Sequence, residues 1–361
     1  MSAGRGWGPK RLSDGPKRWA FARTARALGH DRGRERRRGR THLRRGGRRH
    51  RRQRGRDRGA GLRGGRGAAA AESEGEYAGL LDIGDRYLGL ATDGVGTKLL
   101  VAEALSDYSS IGIDCIAMNA NDLVAAGVEP VAFVDYLAVE EPDERFAQQI
   151  GEGLSAGAAE AGVELVGGET AVMPEVISGL DLAGTCAGLA PKGDVFEGRA
   201  EPGDALVGWA SSGIHSNGLT LARKAATREG VRRPVPRRRR PDRRRGPPGA
   251  DADLHRSART DAVPRRSGAA HVTGGGWTNL ERFGERRYVV DDPFPVQPVF
   301  EFVQERGNVS DAEMHRTFNM GTGFVAALSE DAAESLATET GGRVIGRVKE
   351  GEGVEIRGLS L

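Results

Sequence analysis

Asp93-Gly94-Val95-Gly96-Thr97-Lys98 closes an apolar run with a carboxylate, two glycines and a lysine. Glycines let backbone N–H groups approach an anion, a carboxylate in such a turn can hold a divalent cation, and Lys98 adds a fixed positive charge. Together they could grip a phosphate and its metal. An ordinary glycine turn bearing surface charges is the competing reading, since short glycine motifs are common. Against it, only four lysines, Lys98, Lys192, Lys224 and Lys349, occur outside the two basic stretches described below.

Asp114, Met118 and Asp122 follow at i, i+4 and i+8, with Asn121 adjacent, in a stretch otherwise rich in Ile, Ala, Leu and Val. Polar side chains on so apolar a helix need partners. For Asp122 a metal or a nucleotide phosphate would serve, and so would a hydrogen bond within the protein. Asp135, inside PVAFVDYLAV, is a carboxylate in an apolar strand and requires a cation or several donors. Val166-Gly167-Gly168-Glu169-Thr170 reads as a β segment running into a glycine turn and a carboxylate, repeating the chemistry of Asp93. Ser211-Ser212-Gly213-Ile214-His215-Ser216-Asn217-Gly218 lies between a strand and a helix, where hydroxyls and helix N-terminal amides bind phosphate and His215 can shuttle a proton. A hydroxyl-rich helix cap with an incidental histidine is the plainer alternative. His271-Val272-Thr273-Gly274-Gly275-Gly276 and Asn319-Met320-Gly321-Thr322-Gly323 are two further glycine turns that say little singly. As a set, these turns suggest a cleft for two phosphate-bearing molecules with metal. Few aromatics accompany them, which argues against a stacking surface for single-stranded nucleic acid.

The elements that must position these residues are legible in outline. Strands are expected at 86–92, 130–139, 163–166, 180–189, 204–210, 324–328 and 343–348. Helices are expected at 109–126, stopped by Gly127, at 143–161 with Asp143 near its start and Gly162 past its end, and at 218–227, 277–283, 299–306 and 332–340. Alternation of α and β in two blocks, 75–191 and 200–361, predicts a two-domain α/β or α+β protein.

Composition narrows the class. The 361 residues suffice for two domains with real cores. Two cysteines 71 residues apart, Cys115 and Cys186, exclude a disulfide framework and a cysteine-built zinc site. No apolar run suits a membrane span or signal peptide, so a soluble, cytoplasmic protein is expected. The formal charge of +4 hides a division: residues 1–71 carry 24 Lys and Arg against 4 Asp and Glu, residues 231–270 carry 13 against 4, and the remainder has 17 against 42. The basic stretches are Arg-, Gly-, Pro- and Ala-rich and lack periodicity; residues 1–71 read as disordered. The acidic remainder makes the overall charge poor support for nucleic-acid binding by the folded part.

DGVGTK (93–98), IGIDCIAMNANDLVAAGVEP (111–130), FVDYLA (133–138), VGGETAVMP (166–174), GDALVGWASSGIHSNG (203–218), HVTGGG (271–276) and FNMGTGF (318–324) occur in one order. In that order and phrasing the chain resembles the phosphoribosylformylglycinamidine cyclo-ligase (aminoimidazole ribonucleotide synthetase) family over 75–230 and 269–361. The resemblance implies that family's two-domain fold, with an N-terminal ATP-binding domain that pairs into a barrel in a homodimer and a C-terminal α/β domain. It also implies ATP- and Mg2+-dependent closure of formylglycinamidine ribonucleotide to aminoimidazole ribonucleotide in purine synthesis. By position it assigns Asp93 and Asp122 to magnesium and triphosphate, and Gly94, Gly96, Thr97 and Lys98 to phosphates. Asn121 and Gly168 join the nucleotide site, Glu169 goes to metal or substrate, and Ser212, His215 and Asn217 go to substrate phosphate or proton transfer. His215 and Asp122 would carry the catalytic roles. Rival readings are another ATP-dependent enzyme of the superfamily, such as thiamine-monophosphate kinase or selenophosphate synthetase, and a nucleic-acid binder using its basic arms.

Two departures stand out. Residues 1–71 lack the family's G-V-D-I opening, and 231–270 lacks its Pro-Thr-Arg strand and following helix. Both stretches have the composition of a GC-rich gene read out of frame, so the chain as written is expected to fold poorly and turn over little.

Overall fold

The computed structural model describes residues 77–196, 198–227 and 268–361. The expectations for 1–71 and most of 231–270 fall outside these residues. Residues 268–270, counted above with the second basic stretch, belong instead to a strand, β7 (Gly268–His271), whose four residues are all buried.

The first half is a five-stranded sheet covered on one face by helices. Its strands are β1 (Gly79–Asp82), β2 (Arg86–Gly94), β3 (Glu129–Val139), β4 (Glu164–Val172) and β5 (Leu180–Pro191), ordered β1-β2-β5-β3-β4. Only β3 and β4 run parallel. The covering helices are α1 (Leu99–Leu105), α2 (Ile111–Ala125) and α3 (Glu144–Ala161). As expected, the Asp143 side chain caps α3 by accepting from the Arg145 amide at 2.7 Å, and Gly162 ends it in the left-handed region. Helices α2 and α3 approach closely at small residues: a Cβ on Gly112 would lie 2.2 Å from the Leu154 amide nitrogen and 2.4 Å from the Ile150 carbonyl oxygen. Ile111, Cys115, Ile116 and Leu123 of α2 fill the core against Phe133, Leu182 and Cys186 of the sheet.

The second half is a seven-stranded sheet of β6 (Ala205–Ala210), β7, β8 (Arg287–Val290), β9 (Thr322–Leu328), β10 (Arg343–Lys349), β11 (Gly353–Ile356) and β12 (Leu359–Ser360), ordered β12-β11-β8-β10-β6-β9-β7. Around it lie α4 (Leu219–Thr227), α5 (Pro298–Gly307), α6 (Asp311–Thr317) and α7 (Glu330–Thr340). One face buries Trp277, Leu280, Phe283 and Tyr288; the other buries Trp209, Phe324 and Leu336. Val124 and Ala125, at the end of α2, enter that second core, so α2 belongs to both halves.

The expected α/β plan holds, with three corrections. Residues 277–283 form a 3-10 helix, Gly276–Phe283, rather than an α-helix. The glycine turn expected at 167–170 is absent: Gly167, Gly168 and Glu169 continue β4 without interruption, paired with Val134, Asp135 and Tyr136 of β3. Gly168 serves a packing purpose there, since a Cβ would lie 2.3 Å from Asp135 Oδ1. Strands β1, β8, β11 and β12 and helices α1 and α6 complete the fold beyond the expected elements. Among the described residues no helix is long and apolar enough to cross a membrane.

Two outcomes test this packing. Gly112→Ala must push α2 from α3 and should cost about 1–3 kcal/mol or more in chemical unfolding, whereas Gly151→Ala, in the interior of α3 where a Cβ meets nothing, should stabilise by about 0.5–1 kcal/mol. Cys115 and Cys186 are both fully buried, and burial pushes both thiols up, Cys186 to about 12. Neither should react with a thiol reagent at pH 8 until the protein is unfolded.

Candidate functional site

The register of the first sheet sets one row of side chains: Asp93 of β2, Gly184 of β5 and Asp135 of β3 stand opposite one another on the face that carries α2. Asp93 ends its strand just before the 3-10 turn Gly96–Lys98. Its carboxylate Oδ1 accepts from the Gly94 amide at 2.7 Å, so that amide is engaged by the protein itself. Gly96 is left-handed at φ +62°, which explains its type. The withdrawal of water raises the Asp93 carboxyl above the usual carboxylate range, and the charge of Asp122 raises it further. Asp135 is also raised, by burial.

Helix α2 carries the next group. Asp114, Ala117, Met118 and Asn121 line one side of a cleft, whose other side is His215, Ser216 and Asn217 from the loop before α4, with His271 at the end of β7 and Thr273 after it. Asp122 Oδ1 and His271 Nδ1 lie 3.0 Å apart across the two halves of the protein. The partner that Asp122 required is thus a histidine of the second half. That carboxylate orients the ring, leaving its other nitrogen for the cleft. His215 has φ 60°, and its Nε2 accepts from the Ser212 amide at 3.2 Å. A Cβ on Gly323 would lie 3.2 Å from the His215 ring, so the glycine makes room for the imidazole.

Asn319 holds this loop. Its Oδ1 accepts from Ser211 Oγ at 2.8 Å and the Gly321 amide at 3.0 Å, while its Nδ2 donates to the Gly213 carbonyl at 2.8 Å. Gln297 Nε2 donates to the Ser211 carbonyl at 2.6 Å. Asn217 Nδ2 donates to Thr273 Oγ1, tying the loop to the HVTGGG turn, and Thr220 Oγ1 donates to Thr97 Oγ1 at 3.3 Å, bringing α4 to the DGVGTK turn.

Asp93, Asp122, Asn121, His215 and Asn217 therefore gather at or beside one cleft, and Thr97 and Lys98 border it. Lys98 forms an ion pair with Asp114. Ser212 turns only its amide to His215 and is otherwise exposed; the hydroxyl in the cleft belongs to Ser216. Gly168 and Glu169 lie outside the cleft of their own chain. Glu169 is exposed on β4 opposite Tyr136, one residue out of phase with the Asp135 row and so on the other sheet face. Sequence reasoning did not single out His271, Asp114, Ser216 or Thr273 as site residues. For His271 the signal was Asp122, an acid on an apolar helix in need of a partner.

Among the described residues no group of three or more His, Cys, Asp or Glu could hold a metal by itself. The donor chemistry fits magnesium in a more limited way: Asp93 and Asp122 repel each other, a cation would relieve that repulsion, and Mg2+ typically takes one or two carboxylates with water and phosphate oxygens.

Residues 75–190 match the AIR synthase related protein, N-terminal domain, and residues 201–358 match the AIR synthase related protein, C-terminal domain. The chain belongs to the AIR synthase related family. It is 44% identical over 303 residues to the phosphoribosylformylglycinamidine cyclo-ligase of Methanosarcina mazei, covering 80% of this chain and 87% of that one. The protein of the same name from Thermococcus gammatolerans is 44% identical over 322 residues, covering 83% and 90%. Among solved structures, thiamine-monophosphate kinase from Stenotrophomonas maltophilia K279a shares the fold at a TM-score of 0.54 and 22% identity, over 80% of this chain and 90% of that one. So does AaThiL complexed with AMPPCP and TMP, at a TM-score of 0.56 and 16% identity, over 81% and 90%.

Removing the Asn319 amide would take a partner from two groups of this loop, Ser211 Oγ and the Gly213 carbonyl, and from the Gly321 amide. Asn319→Ala should cost about 2–4 kcal/mol in unfolding and speed hydrogen exchange at the amides of residues 211–217, leaving those of β3 unchanged.

Proposed function

We propose that this chain is an ATP-dependent phosphoribosylformylglycinamidine cyclo-ligase. The observation that carries this is the cleft itself, which joins carboxylates of one half to imidazoles and hydroxyls of the other in a chain 44% identical to enzymes of that name. An amide oxygen is a poor leaving group. Transfer of the ATP γ-phosphoryl group to the formyl oxygen turns it into phosphate. An amidine nitrogen then attacks the formyl carbon, a C–N bond forms, the C–O bond breaks, and phosphate leaves with the electron pair.

The residues divide accordingly. Asp93 and Asp122 would hold magnesium, which neutralises charge developing on the transferring phosphoryl group. The 93–98 turn, with Gly94, Gly96, Thr97 and Lys98, faces the nucleotide, with Asn121 as a further contact, while Gly168 and Glu169, on β4 outside that cleft, would contact only a nucleotide held by the partner chain of a dimer. Ser212 sets His215, and Asn217 and the α4 N-terminus receive the ribotide phosphate. His271, oriented by Asp122, joins His215 as a group able to move a proton from the attacking nitrogen. Among the described residues that line the cleft itself no Lys or Arg occurs, so Lys98 at its border is the cation nearest to an anion bound there.

The outer face of the first sheet supports a homodimer. Leu90, Val134, Tyr136 and Val166 are 40–63% exposed on it, a contiguous apolar surface that a lone chain would leave in water. Pairing two such faces would close the five-stranded half-barrels into a barrel. A location in the cytoplasm follows from the substrates. Residues 1–71 and 231–267 are out-of-frame segments, in place of the family's nucleotide-site opening and a strand and helix of the second half.

Four measurements test this. Purified protein with ATP, Mg2+ and formylglycinamidine ribonucleotide should release one phosphate per aminoimidazole ribonucleotide. A chain with both reading frames restored should turn over faster, and a gene with no G-V-D-I or P-T-R coding in a neighbouring frame defeats the frame reading. Asp122→Asn, which also loosens His271, should lower kcat about 100-fold or more in the frame-restored chain. Val134→Lys with Tyr136→Lys should sediment as a monomer where the parent sediments as a dimer.

A further inference from the structure

The Lys98 ammonium is in contact with the Asp114 carboxylate, and the two side chains are only 21% and 14% exposed. Their own elements explain them unequally. Asp114 stands in the first turn of α2, where a negative charge suits the helix dipole. Lys98 stands at the N-cap of α1, where a positive charge opposes the dipole of that helix and its side chain makes no capping hydrogen bond. The lysine is therefore unfavourable for the helix it begins, and it is one of only four outside the basic stretches. What it gains there is Asp114. Among the described residues that line the cleft, Asp114 is the one acid, and Lys98 stands outside that lining. Partial burial leaves the field of such a carboxylate poorly screened, so an unpaired Asp114 would repel a phosphate entering the cleft.

We propose that Lys98 governs ribotide binding through Asp114: its ammonium cancels the charge of the cleft wall and is not itself a ligand of the phosphate. This rests on the cyclo-ligase reading above, in which a ribotide phosphate enters this cleft, and it narrows the part given there to Lys98. A carboxylate that stabilises the start of α2 would otherwise bar the anion that the cleft takes. Pairing it with Lys98 removes the bar without setting an ammonium against the phosphate. The ribotide is then held by directional donors, the amides, hydroxyls and imidazoles of the opposite wall. Thr97 accepts from Thr220 Oγ1 at 3.3 Å, which anchors the turn that carries the ammonium to α4 as well. Affinity for the ribotide thus follows the net charge of the pair rather than the presence of the ammonium.

Calorimetric titration with formylglycinamidine ribonucleotide tests this, with ADP as a second ligand that reports on the nucleotide site. The full chain is used, with its reading frames restored where the chain as written does not fold. Lys98→Met should weaken ribotide binding about 10-fold and Asp114→Asn should tighten it by a similar factor, one poorly screened charge acting in each case. Lys98→Met combined with Asp114→Asn should bring the affinity back to within about 3-fold of the parent, because the net charge of the pair is again zero. The deficit of Lys98→Met should also shrink as salt is raised, which a merely structural lysine would not show. A double variant about 10-fold or more weaker than the parent overturns the inference, since the ammonium is then a ligand in its own right. An Asp114→Asn affinity equal to that of the parent overturns it too, as does a Lys98→Met deficit that salt leaves unchanged. If Lys98→Met alone does not fold, the other two variants decide the matter. A folded parent that binds neither the ribotide nor ADP overturns the cyclo-ligase reading, and this inference with it.

Discussion

Helix α2 is asked to satisfy three environments at once, and the rest of the molecule is arranged around how it does so. One side packs Ile111, Cys115 and Leu123 against the first sheet, and its end places Val124 and Ala125 in a core of the second half. The remaining side, bearing Asp114, Met118 and Asn121, is a wall of the cleft. A helix fixed on two sides cannot rotate without opening a core, so the polar side chains on the third are held in place by apolar packing. The Asp122–His271 contact adds a polar tie across the same junction. Rigidity at the site is therefore a by-product of burial elsewhere.

The opposite wall is held differently. Loop residues 211–217 contribute little to either core and depend on Asn319 and Gln297 for their hydrogen bonds. Ile214 of the same loop adds apolar packing against Phe300, Met314 and Phe318. The stiff wall carries the carboxylates; the wall built on hydrogen bonds carries His215 and the hydroxyl groups.

How much of this was legible in the sequence follows from the range of the forces involved. The cap at Asp143, the stop at Gly162 and the strand PVAFVDYLAV are decided by near neighbours, and each appears in the fold where local patterning puts it. The 3-10 helix at Gly276–Phe283 and the four-residue strands β8 and β11 are too short to show a period. Gly167-Gly168-Glu169 misleads for a definite reason. Paired glycines ordinarily mark a turn, but here Gly168 is the cost of seating the Asp135 carboxylate on the neighbouring strand. Asp122 and His271 are 149 residues apart, and no local pattern could pair them; what the sequence did contain was the demand for a partner. The order of seven motifs carried the family resemblance, because it integrates information that no single turn holds.

Charge distribution gives the site its character. The patterned part of the chain is acidic and poor in lysine, and the lysine nearest the cleft is spent on Asp114. Among the described residues the cleft is lined by amide, hydroxyl and imidazole groups rather than by a cluster of ammonium groups. Such donors are directional, so they select a shape of phosphate and ribose more than a quantity of charge. The charge of Asp122 raises the cost of ionising Asp93, and a cation between them would relieve it. A carboxylate pair that repels itself when empty is well placed to bind one.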